Sequence, residues 1–354
     1  MSRGSRRQRR RARQRAVVLG LLVVALAGAT ASLFVRSSTP TTASTTSTSS
    51  TTTTTTTTVP KIAATLGWGV IARTGRGVAV DQRWVTVSGG ARVYVLRFRK
   101  GATAFHFHVG SEDPPGADAA VPGDVRSAIS APEWRVGVLG VFNGGFKHAA
   151  KAGGVAVDGY VAASLKAGSP TVVIDAKGQL TIGTWGVDVP ARGDPVIAAR
   201  QNLGYLVLDG SPTPTVGDVA AWGVTLGGVN AVARTGIGVD AAGDVLFAVG
   251  SPILPTQLAD ALVAAGAVRA MQLDINPFWP ISGAARTPLH APAPFAFAGP
   301  YSEHDPSIYA TGWLRDFFVV LAEPSPASCA VRSPYPVPGR VMPEPPVAVC
   351  GPGG

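Results

Sequence analysis

Asp274 and Arg234 are the charged side chains whose settings point to chemistry rather than to solubility. Asp274 closes the apolar run Met271-Gln272-Leu273 and leads into Ile275-Asn276-Pro277-Phe278-Trp279. A carboxylate at a strand end suits a catalytic acid, base or nucleophile; the plainer alternative is a cap on the following turn. Asn276 can orient a substrate or satisfy the turn before Pro277. Arg234 opens a strand otherwise built of small and apolar residues. A guanidinium can grip a phosphate through parallel hydrogen bonds, or simply form a surface ion pair. Asn143-Gly144-Gly145-Phe146 ends another apolar run. Paired glycines permit close backbone approach, and their N–H groups can cradle an anion or a sugar hydroxyl. Asn143 adds a donor and an acceptor; a tight structural turn is the alternative for all four residues.

Other titratable residues carry weaker patterns. His148 follows the glycine turn and is the attractive proton carrier, although beside Lys147 and Lys151 it also fits a solvated loop. Asp209, in Leu208-Asp209-Gly210, and Asp158, before Gly159, are candidates for a second carboxylate. His106 and His108 alternate with Phe105 and Phe107, so both rings face one side of a strand. Two such histidines can share a metal, but neither a metal nor a cofactor is expected. Gly-x-Ser-x-Gly, Walker and His-Glu-x-x-His motifs are absent from the sequence.

The elements that must hold these residues are legible. Ala233–Asp240 and Val245–Val249, joined by Ala241-Ala242-Gly243-Asp244, read as a hairpin. Pro255 opens a helix with Leu258, Ala261, Leu262 and Ala265 on one face, and Gly266 is placed to stop it. Val268–Leu273 is the strand that delivers Asp274. Upstream, Trp84–Val87, Val93–Phe98, Ala104–Val109 and Val136–Phe142 read as strands, with a helix expected over Pro122–Ser130. Val155–Val157, Thr171–Ile174, Gln179–Ile182, Tyr205–Leu208 and Phe317–Leu321 are further strands. Many strands and few helices predict an α+β fold, a β-dominated mixed sheet with a few packed helices, preceded by one transmembrane helix.

The two ends of the chain differ from its middle. Of the 354 residues, 1–15 form a basic tail with eight arginines, and no acid appears before Asp81. Those eight and Arg36 account for nine of the ten net positive charges, and the rest of the chain is close to neutral. No basic stripe interleaved with aromatics marks the folded part, which argues against nucleic acid as a partner. Ala16–Val35 is uncharged and long enough to span a bilayer, with its arginine-rich flank inside. A cleaved signal peptide is the alternative for this segment. The single-pass anchor leaves the N-terminus cytoplasmic and the main domain extracellular. Residues 36–60 are a Ser/Thr-rich linker, reaching about 80 Å when extended. The main domain is expected over 61–322, followed by a proline-rich, irregular tail over 323–354. Cys329 and Cys350 in that exported tail suggest a disulfide.

Taken together, the ordered motifs resemble the phosphodiester glycosidase family. The family pattern has an Asn-Gly-Gly-Phe turn after an apolar strand, matched by Asn143–Phe146. It continues with an Ala-Arg-Thr-x-Ile-Gly-x-Asp hairpin, matched by Ala233–Asp240, then a helix and a strand ending in aspartate, matched by Asp274. Two departures stand out: Ile275-Asn276-Pro277 replaces a glycine run, and Lys147 replaces a phenylalanine. The resemblance implies hydrolysis of a sugar-1-phosphodiester at the glycosidic carbon. Arg234 would then stabilise the departing phosphate and Asp274 the charge on the sugar, with His148 as proton carrier. Asn143, Gly144, Gly145, Asn276, Asp209 and Trp279 would bind the glycan or sugar-phosphate substrate. The competing expectation is a non-catalytic glycan-binding or scaffolding module, in which Phe278 and Trp279 stack on sugar rings.

Overall fold

The computed structural model describes residues 67–190, 196–223, 228–300, 304–323, 329–332 and 347–350, all within the unit Val59–Gly354. Beyond residue 323 the description covers backbone alone. The expected basic tail, membrane segment and Ser/Thr-rich linker lie outside the described residues. Among the described residues, no helix is long and apolar enough to cross a membrane.

Strands dominate, in three sheets. The first contains β1 (Gly69–Thr74), β2 (Gly77–Thr86), β3 (Arg92–Phe98), β11 (Tyr205–Leu208), β12 (Ser211–Pro212), β13 (Val232–Asp240), β14 (Val245–Ile253) and β15 (Ala267–Gln272). Its order is β1-β2-β3-β14-β13-β15-β11-β12. The second contains β4 (Ala104–His108), β5 (Val138–Asn143), β16 (Ser282–Leu289) and β17 (Phe317–Leu321), ordered β16-β5-β17-β4. In the third, β10 (Val196–Gln201) pairs with β6 (Val155–Val157), β8 (Pro170–Asp175) and β18 (Cys329–Arg332). Its remaining members are β7 (Tyr160–Ala163), β9 (Leu180–Thr184) and β19 (Val347–Cys350). The helices are short: α1 (Ala117–Ala120), α2 (Ala131–Val136) and α3 (Pro255–Ala264).

The hairpin, helix and strand expected between Ala233 and Leu273 are all present. Asp240 Oδ1 accepts the N–H groups of Ala242 and Asp244, which closes the β13–β14 turn. After β14, α3 starts at Pro255, where the Gln257 side chain accepts the Leu254 N–H. Leu258, Ala261 and Leu262 are fully buried against the first sheet. A Cβ on Gly236 would come within 3.2 Å of the Leu258 and Leu262 side chains, so glycine lets the helix ride close to β13. Beyond α3, β15 returns antiparallel to β13.

On the other face of the first sheet, aromatics lock it to the second. Phe142 stacks with Phe98 (5.8 Å) and Phe318 (5.0 Å) and tilts against Phe247 at 4.9 Å. Edge and offset contacts of this kind add to ordinary area burial. The residue immediately before Asn143 is thus clamped between two sheets, which fixes where the glycine turn begins.

Strands β1, β7, β10, β12 and β16 are not among those expected, and two expected segments take a different form. The helix expected over Pro122–Ser130 is a single 3-10 turn at Gly123–Val125, and α2 begins only at Ala131. Ser130 and Glu133 form a reciprocal capping box that starts a helix just there. The tail expected to be irregular contains β18 and β19, whose eight residues include no proline. The backbone register sets Cys329 directly opposite Cys350; the expected disulfide concerns side chains outside the described ones.

The capping glutamate also meets the two histidines of β4. Glu133 Oε1 lies 2.9 Å from His106 Nδ1 and 2.7 Å from His108 Nε2, all three residues being buried. Its other oxygen accepts from the Ser130 N–H and hydroxyl, and His108 Nδ1 faces the Arg126 carbonyl. Burial alone would lower the His106 pKa, but the Glu133 hydrogen bond and charge reverse this and raise it. Burial would raise the Glu133 pKa, yet the charges and hydrogen bonds of His108 and His106 hold it well below the usual carboxylate range. The raised His106 contributes stability below its ordinary value of 6.5 and loses it as pH rises; the depressed Glu133 contributes above 4.5 and loses it as pH falls. The Glu133→Gln variant should therefore cost about 3 kcal/mol or more in denaturant unfolding near pH 5.5, with a smaller gap near pH 8. An unchanged gap across that range would contradict this assignment.

Candidate active site

Strand ends of the first two sheets converge on the hydroxyl of Thr235. Its Oγ1 accepts from Asn143 Nδ2 at 3.0 Å and from the Asp274 N–H at 3.1 Å. The Thr235 N–H donates to the Asp274 carbonyl, and the Leu273 N–H donates back to the Thr235 carbonyl. One buried side chain on β13 thereby ties the end of β5 to the end of β15. The third sheet joins through Asn202, just beyond β10. Its amide donates to the Leu273 carbonyl (2.9 Å) and to that of Gln272, while its Oδ1 accepts from the Phe146 N–H.

A small cleft opens at this junction. Asn143, Gly144, Gly145, Asp274 and Trp279 line it, as do Trp313, Arg315 and Asp316 from the segment entering β17. The glycines are needed for close approach. A Cβ on Gly144 would lie 2.5 Å from the Asp316 carboxyl, and one on Gly145 would lie 2.7 Å from Arg200 Nη2. The Gly144 N–H donates to the Asp316 carbonyl rather than into the cleft.

The two aspartates are solvated differently by the protein. Asp274 Oδ1 accepts from the backbone N–H groups of Ile275 and Asn276, and Oδ2 accepts from Arg315 at 3.0 Å. The amides that follow Asp274, where the family pattern has glycines, thus fold back on its own carboxylate. Asp316 Oδ2 accepts from Arg200 Nε at 2.6 Å, whereas its Oδ1 has no hydrogen-bond partner. Burial raises the pKa of both acids; Arg315 and the two amides oppose this at Asp274, and Arg200 and Arg315 oppose it at Asp316. The charge of Asp316 further raises Asp274. Three N–H donors favour the ionised form at Asp274, while the single donor at Asp316 leaves one oxygen to carry a proton. Asn143 Oδ1 and Arg315 Nε are also buried without hydrogen-bond partners.

Other residues expected at the site lie elsewhere. Arg234 does not line the cleft. Its guanidinium is 1% exposed and donates to the carbonyls of Ile253, Trp222 and Asn230 and to Gln272 Oε1. Burial pulls its pKa down to about 10. It staples β13 to neighbouring segments, and four of its five N–H donors are engaged by protein acceptors away from the cleft. His148 is exposed, and its backbone N–H, not its ring, is held by Asp113. Asp209 is an exposed residue with φ 50°, in the turn between β11 and β12. Asn276 is half-buried beside Asp274, where its Oδ1 accepts the Phe278 N–H and closes the turn. Asp158 is buried in the turn after β6 and does not line the cleft. Arg234→Ala should cost about 3 kcal/mol or more in denaturant unfolding, because it strips donors from several buried acceptors. Full stability in that variant would overturn this structural role.

Five residues of the junction escape reading by sequence alone: Arg315, Asp316 and Arg200, together with Asn202 and Trp313. Arg315-Asp316 is a charged pair directly before the apolar run Phe317–Leu321, the same charge-at-a-strand-end signal that marks Asp274. Arg200 is a cation inside the buried strand β10. The histidine pair with Glu133 could hold a cation by residue type, its ligand atoms lying within 4.8 Å of one another. Those atoms already satisfy one another, save His106 Nε2, which has no hydrogen-bond partner.

The cleft of this three-sheet α+β domain thus holds two buried carboxylates and Arg315, with Arg200 behind Asp316. Residues 136–274 match the family model described as phosphodiester glycosidase, so the family recognised from the ordered motifs is the one whose pattern this segment carries. Trp279, Trp313, Arg315 and Asp316 fall beyond the matched span. Among solved structures the chain is similar to the zebrafish N-acetylglucosamine-1-phosphodiester alpha-N-acetylglucosaminidase catalytic domain auto-inhibited by its pro-peptide. The identity is 14%, over 73% of this chain and 88% of that one, with a TM-score of 0.43. A hypothetical protein from Synechocystis is similar at 12% identity, over 68% of this chain and 62% of that one, with a TM-score of 0.37. A putative exported protein from Burkholderia pseudomallei is similar at 13% identity, over 68% and 74%, with a TM-score of 0.36. No curated protein matches the chain.

Proposed function

We propose that the protein hydrolyses sugar-1-phosphodiester linkages in a glycan or exopolysaccharide, with Asp274, Asp316 and Arg315 as its working groups. The observation that carries this is a pair of buried acceptors without hydrogen-bond partners, Asn143 Oδ1 and Asp316 Oδ1, beside Arg315 Nε, which makes no hydrogen bond and stands 3.6 Å from Asp113, all on cleft-lining residues. Buried polar atoms are ordinarily paired, and a hydroxylated, anionic substrate offers both the donors and the acceptors these lack.

In the reaction, the bond between the anomeric carbon and the phosphate oxygen breaks, and a water oxygen takes its place on carbon. Positive charge builds on the sugar ring, and the ionised Asp274 is held by three donors to face it. The phosphate monoester departs with extra negative charge, which the Arg315 guanidinium offsets. Asp316, protonated at its partnerless Oδ1, supplies a proton to that leaving group and recovers one from the incoming water. Asn143 Oδ1 accepts a sugar hydroxyl and fixes the ring. The N-terminal segments read from the sequence supply the rest of the proposal, an envelope tether that holds the domain outside the membrane.

Asp274→Asn should lower kcat/KM for release of free sugar by about a hundredfold or more, with the fold retained. The wild type should show a bell-shaped pH profile whose alkaline limb reports loss of the Asp316 proton, at a value above the ordinary 3.8 for aspartate. Asp316→Asn should lower the rate and remove that limb. Wild-type turnover in Asp274→Asn, or an alkaline limb surviving in Asp316→Asn, would overturn these roles. The alternative of a glycan-binding module is favoured by Trp279 and Trp313 in the cleft and by Phe278, 59% exposed beside them in sequence. It predicts binding with no sugar release from any phosphodiester.

A further inference from the structure

The arginine that lines the cleft is already shared between carboxylates, and Arg200 behind it is held by Asp316 Oδ2 and by the Phe146 and Gln201 carbonyls. Arg200 pairs with Asp316, and Arg315 pairs with Asp274 at 3.0 Å and faces Asp113 at 3.6 Å. An anionic ligand entering here meets an Arg315 whose charge is already shared between Asp274 and Asp113, and its own charge calls for a further cation. Lys147 is placed to provide it. It follows the glycine turn, is exposed, and holds its ammonium 5.6 Å from the ring centroid of Trp279, which lines the cleft. The same ring lies 5.2 Å from the Arg315 guanidinium carbon. Among the described residues, no carboxylate forms an ion pair with Lys147.

The backbone around this lysine is fixed from both sides. Before it, the Phe146 peptide groups are held by the buried Asn202 and Arg200: Asn202 Oδ1 accepts the Phe146 N–H, and Arg200 Nη2 donates to the Phe146 carbonyl at 2.6 Å. After it, the Asp113 carboxylate accepts the His148 N–H at 3.0 Å, and the Lys147 carbonyl accepts the Ala150 N–H at 2.9 Å. An ordinary surface lysine pays for ordering both backbone and side chain when it meets a ligand. Here the backbone share of that cost is met by folding, and the Trp279 face narrows the arc open to the ammonium.

We propose that Lys147, seated against Trp279, is the residue that selects phosphorylated over neutral sugars at the mouth of the cleft. It contacts the phosphoryl group of the ligand, while Arg315 meets the same group from inside. This specificity role rests on the phosphodiester reading of the site, but it concerns binding rather than turnover.

The test is a ligand-observed NMR titration of the full chain with glucose 1-phosphate, its methyl phosphodiester, and glucose as the uncharged probe. The wild type should bind the phosphorylated probes more tightly than glucose. Lys147→Ala should weaken the phosphorylated probes by about fivefold, the upper range for an exposed ion pair, and leave glucose unchanged. Lys147→Arg should restore the preference, and raising salt from about 0.05 to about 0.5 M should erode it in the wild type. The proposal is overturned if Lys147→Ala binds the charged probes as the wild type does, or loses charged and neutral probes equally. It also fails if the wild type binds none of the three or shows no preference for charge. A preserved preference without any sugar release would sink the hydrolase and leave Lys147 standing; turnover with an indifferent Lys147→Ala would do the reverse.

Discussion

The hydroxyl of Thr235 is the constraint on which the cleft depends. It is fully buried, and it accepts hydrogen bonds from two groups that arrive from different sheets, Asn143 Nδ2 and the Asp274 N–H. A buried donor left unpaired costs about 1–3 kcal/mol, so each strand end is held in register by the penalty of leaving. Phe142, stacked between Phe98 and Phe318, fixes the same junction from the apolar side. Apolar packing sets the approach of the sheets, and the hydrogen bonds choose which residues face one another.

Around that point the protein buries several charges close together: Asp274, Asp316, Arg200 and Arg315 are all at most 6% exposed. Taking such groups out of water is costly unless partners replace the lost solvation. Arg200 binds Asp316 as well as the Phe146 and Gln201 carbonyls, and so couples the glycine turn to the segment before β17. The partnering is uneven. Asp274 receives three donors and Asp316 one, and this imbalance separates a carboxylate suited to carry charge from one suited to carry a proton.

The change from glycines to Ile275-Asn276-Pro277 has a physical account in the fold. Ile275 is buried, and a Cβ on Gly223 would come within 2.6 Å of its Cδ1, so the larger side chain is received by a glycine elsewhere. The amides of Ile275 and Asn276 serve the Asp274 carboxylate, and the exposed Pro277, which has no N–H to offer, costs nothing there. The turn keeps the aspartate oriented without presenting glycine amides to a ligand.

Sequence periodicity and turn chemistry alone determined the hairpin from Ala233, the helix at Pro255 and the strand that ends at Asp274. Each rests on contacts among near neighbours: a side-chain-closed turn, an apolar face repeating at helical spacing, a proline start and a glycine stop. Asn143, Gly144 and Gly145, which line the cleft, drew notice in the sequence for the same reason, since glycine pairs and strand-end polar residues mark themselves locally. Strands β10 and β16 were not, because runs such as Val196–Gln201 and Ser282–Leu289 acquire their extended form from the neighbours they pair with. Arg234 and Arg315 show the limit most plainly. Arg234 lies inside β13 and Arg315 just before β17, and in neither case does the local sequence name the partner. Which one is consumed by backbone carbonyls and which one reaches Asp274 depends on partners distant in the chain, and only the tertiary structure decides that.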